Sequence, residues 1–235
     1  MTITSSHNEQ LKEIRKLNQQ RRWRERSGRF VAEGEDLLAA ADAAGWSPVH
    51  RFCAAGSGLP GTEVEPRLLA AASVLGSGTR AVAVYQERWA PAATGPLCVY
   101  LHGVHDPGNV GTILRSSDAF GAACVAIGPG TADPFGPKAV RASMGAVFTV
   151  PLVHVAELDA LPRPTVALVT GPGAPLERLS LTGATLLIGS ERDGLPDEIV
   201  RAADEVARIP IATHSLNAAM AATVALYEAS RMARS

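Results

Sequence analysis

The chain of 235 residues predicts an α/β protein in two parts, the larger built on a parallel sheet with helices on both faces. Three observations carry this. From Leu97 onward, short apolar runs alternate with segments of helical period, as a parallel sheet with crossover helices requires. A Pro- and Gly-bearing stretch, Arg88 to Pro96, separates that region from a smaller α/β region before it. The distinctive polar loops all follow predicted strands, and ligands of open parallel sheets bind at the carboxyl ends of strands.

The first part, residues 1–87, opens with a helix expected from about Asn8 to Glu25, with Leu11, Ile14 and Leu17 on one face and a stop at Ser27-Gly28. A short strand, Phe30 to Ala32, leads into a helix that opens at Glu33-Gly34-Glu35 and ends at Gly45. Val49 to Cys53 is a strand, Gly56 to Gly61 a loop, Pro66 to Ala72 a helix and Ala81 to Tyr85 a strand. Residues 88–96 form the linker. In the second part, residues 97–235, strands are expected at Leu97 to Leu101, Cys124 to Ile127, Val147 to Leu152, Thr165 to Thr170, Thr185 to Gly189 and Val206 to Ile209. Helices are expected at Gly111 to Phe120, Lys138 to Ser143 and Pro196 to Ala202, followed by an alanine-rich final helix with Met220, Val224, Leu226 and Tyr227.

Composition excludes some functions. No apolar run is long enough to cross a bilayer, and the polar, charged N-terminus does not read as a signal peptide. Cys53, Cys98 and Cys124 are far apart in sequence and lie among apolar residues. They suit buried thiols in a reducing, cytoplasmic compartment, and no Cys/His spacing suggests a metal. The net charge of −1 says nothing of nucleic acid, but its distribution does. Lys12, Arg15, Lys16, Arg21, Arg22, Arg24, Arg26 and Arg29 are opposed only by Glu13 and Glu25, with Trp23 and Phe30 interleaved. Such a cluster can hold RNA phosphates even in a nearly neutral protein.

Three loops could carry chemistry. In HGVHDPGNVGTILRSSDAFGA, His102 to Ala122, Asn109 can cap a helix that also presents Arg115, a plausible anion site. Neither a GxGxxG fingerprint nor a P-loop is present, which removes the nicotinamide dehydrogenase reading. In LLIGSERDGLP, Leu186 to Pro196, the absent Cβ of Gly189 lets a ligand approach the backbone. Glu191 there can bind a ribose hydroxyl, orient a base or cap the next helix. In IPIATHSLNAAMAATVALYEASR, Ile209 to Arg231, a polar loop with Thr213, His214, Ser215 and Asn217 precedes the final helix, and Ser215 can cap it.

In this order, NVGTILRSSDAFG, IGSERDGLP and IPIATHSLNAAMAATVALYEA closely resemble the three motifs of the SpoU (TrmH-like) RNA ribose 2′-O-methyltransferases, as does PKAVRASMGAVFTVP between them. The segment IRKLNQQRRWRERSGRFVAEGEDLL resembles, more loosely, the L30e-like substrate-binding domain that precedes that catalytic domain. The resemblance implies a SPOUT domain with a deep trefoil knot, a homodimer, and methyl transfer from S-adenosylmethionine to a ribose of ribosomal RNA or, second, transfer RNA. It implies cofactor contacts at Thr170, Gly171, Gly189, Ile209, Ser215 and Leu216. The matching catalytic positions are Arg115, Asn109, Glu191, Ser215 and Asn217. Arginine keeps its proton in proteins, so Arg115 is expected to bind the adjacent phosphate and orient the hydroxyl rather than act as a base. RNA contacts are expected from Arg15, Lys16, Arg21, Arg22, Arg24, Arg29, Lys138 and Arg141. Ala219 stands where many members have a serine. The rival reading is an RNA-binding protein of the same fold that has lost catalysis.

Overall fold

The computed structural model describes residues 2–76, 78–212 and 215–233. The chain divides into two compact units, residues 1–87 with 133–148, and residues 88–132 with 149–235.

In the first unit, α1 (Glu9–Gln19) starts where the Asn8 side chain accepts from the backbone of Gln10 and Leu11, and it buries Leu11, Ile14 and Leu17. The single helix expected over residues 8–25 is in fact two. Gln20 is extended, and α2 (Arg21–Ser27) begins after it and ends at Gly28, whose φ of 61° suits glycine. The break has a physical use. It turns Arg24 inward, where its guanidinium donates to the Leu17 carbonyl, one of the acceptors left unpaired at the end of α1. The same guanidinium pairs with Asp133 at 2.7 Å, and the residue is 6% exposed. Arg24 is therefore a structural residue and not an RNA contact. We expect Arg24→Ala to cost roughly 3–5 kcal/mol of stability by stranding the Asp133 carboxylate. Chemical denaturation with an unchanged m-value would measure it.

Strands β1 (Arg29–Glu33), β2 (His50–Ala54), β3 (Thr62–Val64) and β4 (Ala81–Gln86) form a sheet in the order β1-β4-β2-β3. Helices α3 (Glu35–Ala43) and α4 (Pro66–Ala72) complete the N-terminal portion. Residues 133–148, with helix α6 (Pro137–Ala142), pack into this unit through aromatic rings. Phe30 lies 4.7 Å from Phe135, and Trp46 lies 5.2 Å from Phe148 and donates to its carbonyl. Phe30, interleaved with the basic run in the sequence, is fully buried and offers no ring to RNA.

The second unit carries a seven-stranded sheet of β5 (Cys98–Leu101), β6 (Cys124–Ile127), β7 (Leu152–His154), β8 (Thr165–Leu168), β9 (Ala174–Pro175), β10 (Thr185–Ile188) and β11 (Glu205–Arg208). Its order is β7-β6-β5-β10-β8-β11-β9, and every pair is parallel. Burial on both faces explains why its central strands read as unbroken apolar runs. Helices α5 (Pro107–Ala119), α7 (Asp197–Ala202) and α8 (Ala218–Met232) flank it, with α5 packed on α8. The strand expected at Val147 to Leu152 is instead a 3-10 turn at Ala146–Phe148 followed by β7, because Phe148 belongs to the aromatic cluster of the first unit. Cys98 and Cys124, distant in sequence, are register partners whose Sγ atoms lie 3.0 Å apart. Among the described residues no helix is long and apolar enough to cross a membrane.

Candidate active site

In the parallel sheet the carboxyl ends of β5, β8, β10 and β11 share one edge, and the loops after them leave from it. The loop after β5 runs into α5. Its cap is Asp106, not Asn109: the Asp106 carboxylate accepts from the Gly108 N–H at 2.7 Å. Asp106 takes the extended conformation favoured before proline, and Pro107 sits at the first helical position, where its fixed φ suits a helix start. Asn109 is thereby free for long-range contacts.

Asn109 uses that freedom on both ends of its amide. Its Nδ2 donates to Glu191 Oε1 at 2.5 Å, and its Oδ1 accepts from Asn217 Nδ2 at 3.1 Å. Asn217 in turn caps α8, its Oδ1 accepting from Ala219 and Met220 N–H. The helix cap is therefore Asn217 rather than Ser215, two residues beyond the position expected. One amide thus joins three segments: the start of α5, the loop after β10 and the start of α8. A further tie between the helices runs from Ser116 Oγ to Thr223 Oγ1 at 2.6 Å.

Glu191 sits in a tight turn closed by reciprocal backbone hydrogen bonds between Ser190 and Gly194, with Ser190 Oγ accepting from Asp193 N–H. Gly194 has a φ of 68°. Gly189 also has a role within the protein. A Cβ there would fall within 3.0 Å of the Gly194 and Leu195 backbone, so the glycine makes room for the protein's own turn. Glu191 is committed to Asn109 and does not cap α7, whose N-cap is Pro196.

Arg115 is exposed on the third turn of α5 and has no hydrogen-bond or ion-pair partner among the described residues. Thr170 and Gly171 are exposed just beyond β8, Gly189 is buried, and Ile209 and Leu216 are half-buried. Ile211 is 39% exposed. Ser215 is exposed, while Thr213 and His214 lie outside the described residues. The edge therefore offers apolar side chains beside open backbone, a surface suited to a flat heteroaromatic ring.

His102, at the end of β5, has no sequence signal of its own. Its Nδ1 lies 3.2 Å from the Tyr100 hydroxyl, and burial holds its pKa below the ordinary value against the opposing pull of Glu198. Only the general frequency of histidine in acid–base chemistry could have marked it.

The expected RNA contacts lie in the first unit, Lys138 and Arg141 included. Arg21 pairs with Glu25 at an exposed site, Arg29 pairs with Glu13, and Arg15 donates to the Ser6 carbonyl. Lys16 lies 4.4 Å over the half-buried Trp23 ring. Arg22 and Arg141 are exposed without a partner among the described residues, and Lys138 is exposed.

Residues 96–227 match the model of the SpoU rRNA Methylase family, and residues 8–87 that of the MRM3-like substrate binding domain. The chain is 33% identical to Ribosomal RNA small subunit methyltransferase G 2 of Syntrophobacter fumaroxidans, over 97% of its own length and 49% of the relative's. It is 32% identical to 23S rRNA (guanosine(2553)-2′-O)-methyltransferase RlmP of Bacillus subtilis, over 57% of its own length and 58% of the relative's. The chain thus spans about half the length of these curated relatives. A solved AdoMet-bound rRNA methyltransferase from Sinorhizobium meliloti superposes with a TM-score of 0.88 at 31% identity, covering 98% of this chain and 97% of that one.

Proposed function

The chain belongs to the SpoU rRNA methylase family, and on that premise we propose that it transfers a methyl group from S-adenosylmethionine to the 2′-hydroxyl of one ribose in ribosomal RNA. The observation that carries this reading is the Glu191–Asn109–Asn217 bridge, which ties three motif segments together on the unit that also holds Arg115, unpartnered among the described residues. Transfer RNA is the less favoured substrate.

The residues at the sheet edge fit the cofactor. Ile209 and Leu216 supply apolar surface for the adenine, and exposed backbone at Thr170 and Gly171 supplies polar groups for its edge. Gly189 keeps the intervening turn closed, and Ser215 borders the loop before α8. S-adenosylmethionine supplies an electrophilic methyl on a sulfonium. Arg115 then has the positioning work: its guanidinium holds the phosphate next to the target ribose and aligns the 2′-oxygen. It also stabilises negative charge growing on that oxygen as its proton passes to water, without being deprotonated itself. Asn109 and Glu191 fix the start of α5, and so the helix that carries Arg115.

A homodimer through the second unit accompanies this function. Met220, Val224 and Tyr227 are 62%, 40% and 52% exposed at helical spacing on α8, an apolar stripe that a second copy would cover. The loops after β8, β10 and β11 are assigned to a deep trefoil knot, and the protein to the cytoplasm. Ribosomal RNA is held through phosphates by the first unit, where neutralising Arg21 and Arg22 together should weaken binding. It should also flatten the slope of log affinity on log salt by about one unit for each phosphate no longer neutralised. Titrations at several salt concentrations check this, and an unchanged slope removes the segment from the RNA site.

Methyl transfer from labelled S-adenosylmethionine to unmodified ribosomal RNA, followed by digestion and mass analysis of nucleosides, tests the function. A 2′-O-methylated nucleoside confirms the reaction and names the base. Absence of both transfer and cofactor binding would favour an RNA-binding protein without catalysis.

A further inference from the structure

Cys98 opens β5 and Cys124 opens β6, and the two are register partners on neighbouring parallel strands. Neighbouring strands lie about 4.8 Å apart, inside the Cα separation that a disulfide spans, about 4.4–6.8 Å. Both side chains join one buried cluster with Ala93, Tyr100 and Leu161, and their sulfurs lie 3.0 Å apart. Bond formation therefore needs a movement of about 1 Å, from contact to the covalent distance of about 2.05 Å. Neither thiol takes part in the methyl transfer. Both sit at the amino ends of their strands, and the site lies at the carboxyl ends.

The pair is buried but thinly covered. Cys98 Sγ donates to the Thr94 carbonyl at 3.5 Å, and Thr94, Gly95 and Pro96 are exposed. A small neutral oxidant thus has only the linker backbone to pass. The Cys98 thiol beside it holds the Cys124 thiol below its ordinary range against the opposing effect of burial, and a hydrogen bond from the Thr94 backbone acts in the same direction. The thiolate is the nucleophilic form, so Cys124 is the sulfur that attacks and Cys98 the one that resolves. The third thiol, Cys53, is as deeply buried in the first unit, where its Sγ donates to the Gly61 carbonyl at 3.7 Å.

We infer that Cys98 and Cys124 form a reversible disulfide on exposure to hydrogen peroxide, a redox clasp across the feet of β5 and β6. The Cys124 sulfur attacks one peroxide oxygen. The O–O bond breaks, and the released hydroxide leaves as water with the Cys124 proton, giving a sulfenic acid. The Cys98 sulfur then attacks the Cys124 sulfur. The S–S bond forms, the S–O bond breaks, and the hydroxyl leaves as a second water with the Cys98 proton. Two thiols give up two electrons and one peroxide becomes two waters. A dithiol returns the electrons, so in a reducing compartment the resting form is the thiol pair and the disulfide is transient. The bond closes residues 98–124 into a loop that contains α5, with Asn109 and Arg115 on it.

The test treats the full chain with one equivalent of hydrogen peroxide, counts thiols after denaturation, and maps peptides by mass without reduction. We expect two of the three thiols to disappear, one crosslinked peptide pair joining Cys98 to Cys124, and Cys53 intact. Dithiothreitol should restore all three. The oxidised chain should unfold about 5–10 °C higher, since the crosslink restricts the unfolded chain. In Cys98→Ala the crosslink is lost, and Cys124 should stop at the sulfenic acid, where dimedone traps it. The peptide map of the wild-type chain decides the matter even if that variant fails to fold. Cys124 oxidised to sulfinic acid without a crosslink, Cys53 lost as fast as the pair, or no thiol lost at millimolar peroxide would each overturn the clasp. A crosslink between copies in place of the one within the chain would overturn it as well.

Discussion

Arg115→Ala is expected to lower the rate of methyl transfer about a hundred- to a thousandfold, the usual loss when one preorganised donor to a developing oxyanion is removed. Cofactor affinity should change little, because the cofactor contacts are assigned to the loops after β8, β10 and β11. Arg115 is exposed and unpartnered among the described residues, so its removal strands no buried group and should not disturb folding. Single-turnover rates at saturating cofactor, with calorimetric titration of the cofactor, separate the two effects. Arg115→Lys keeps the charge but gives up the bidentate fork, so it should recover only part of the rate. Wild-type turnover by the alanine variant would place the reacting ribose elsewhere.

Gly189→Ala is the second large effect, and it acts by a different route. The added methyl has no space, since backbone atoms of Gly194 and Leu195 already occupy the position of a Cβ. Backbone cannot rotate aside as the end of a flexible side chain can. The Ser190–Gly194 turn must open, and with it goes the placement of Glu191 against Asn109. We expect a loss of roughly 1–3 kcal/mol of stability, typical of overpacking, together with loss of cofactor binding. Thermal unfolding with and without the cofactor measures both. Preserved cofactor affinity would show that the turn tolerates opening. Gly171→Ala is the control for stability alone, because open space surrounds its Cβ position.

Much of the fold is legible in the sequence because its signals are local. Pro66 at a helix start, Gly28 after Ser27, and the apolar runs at Cys124–Ile127 and Thr185–Ile188 each state their element within a few residues. Legibility fails where a distant partner decides. Phe148 looks like strand in an apolar run, yet rings from residues 30, 46 and 85 draw it into a turn. Strand β9 has two residues and exists only because β11 lies beside it. Arg24 sits in a basic run like its neighbours, and only Asp133, 109 residues away, makes it a core residue. In the site, the resemblance groups Asn109, Glu191 and Asn217, but no local rule shows that one amide joins them across 82 and 108 residues. The Asp106-Pro107 cap is written in the sequence, but Asn109 competes with it, because a polar residue before an apolar run is a commoner sign than the aspartate–proline pair.

The span of that amide bridge also orders events during synthesis. A ribosome delivers Asn109 early, Glu191 much later and Asn217 last. A nascent chain that has reached Glu191 can close the first hydrogen bond, but Asn109 Oδ1 still lacks its donor and α8 its cap. A chain that stops, or is clipped, before Asn217 therefore carries an intact basic first unit and an unfinished active site. On the proposed function, such a fragment would occupy RNA without modifying it. The donor to Asn109 Oδ1 and the cap of α8 therefore arrive together, with Asn217.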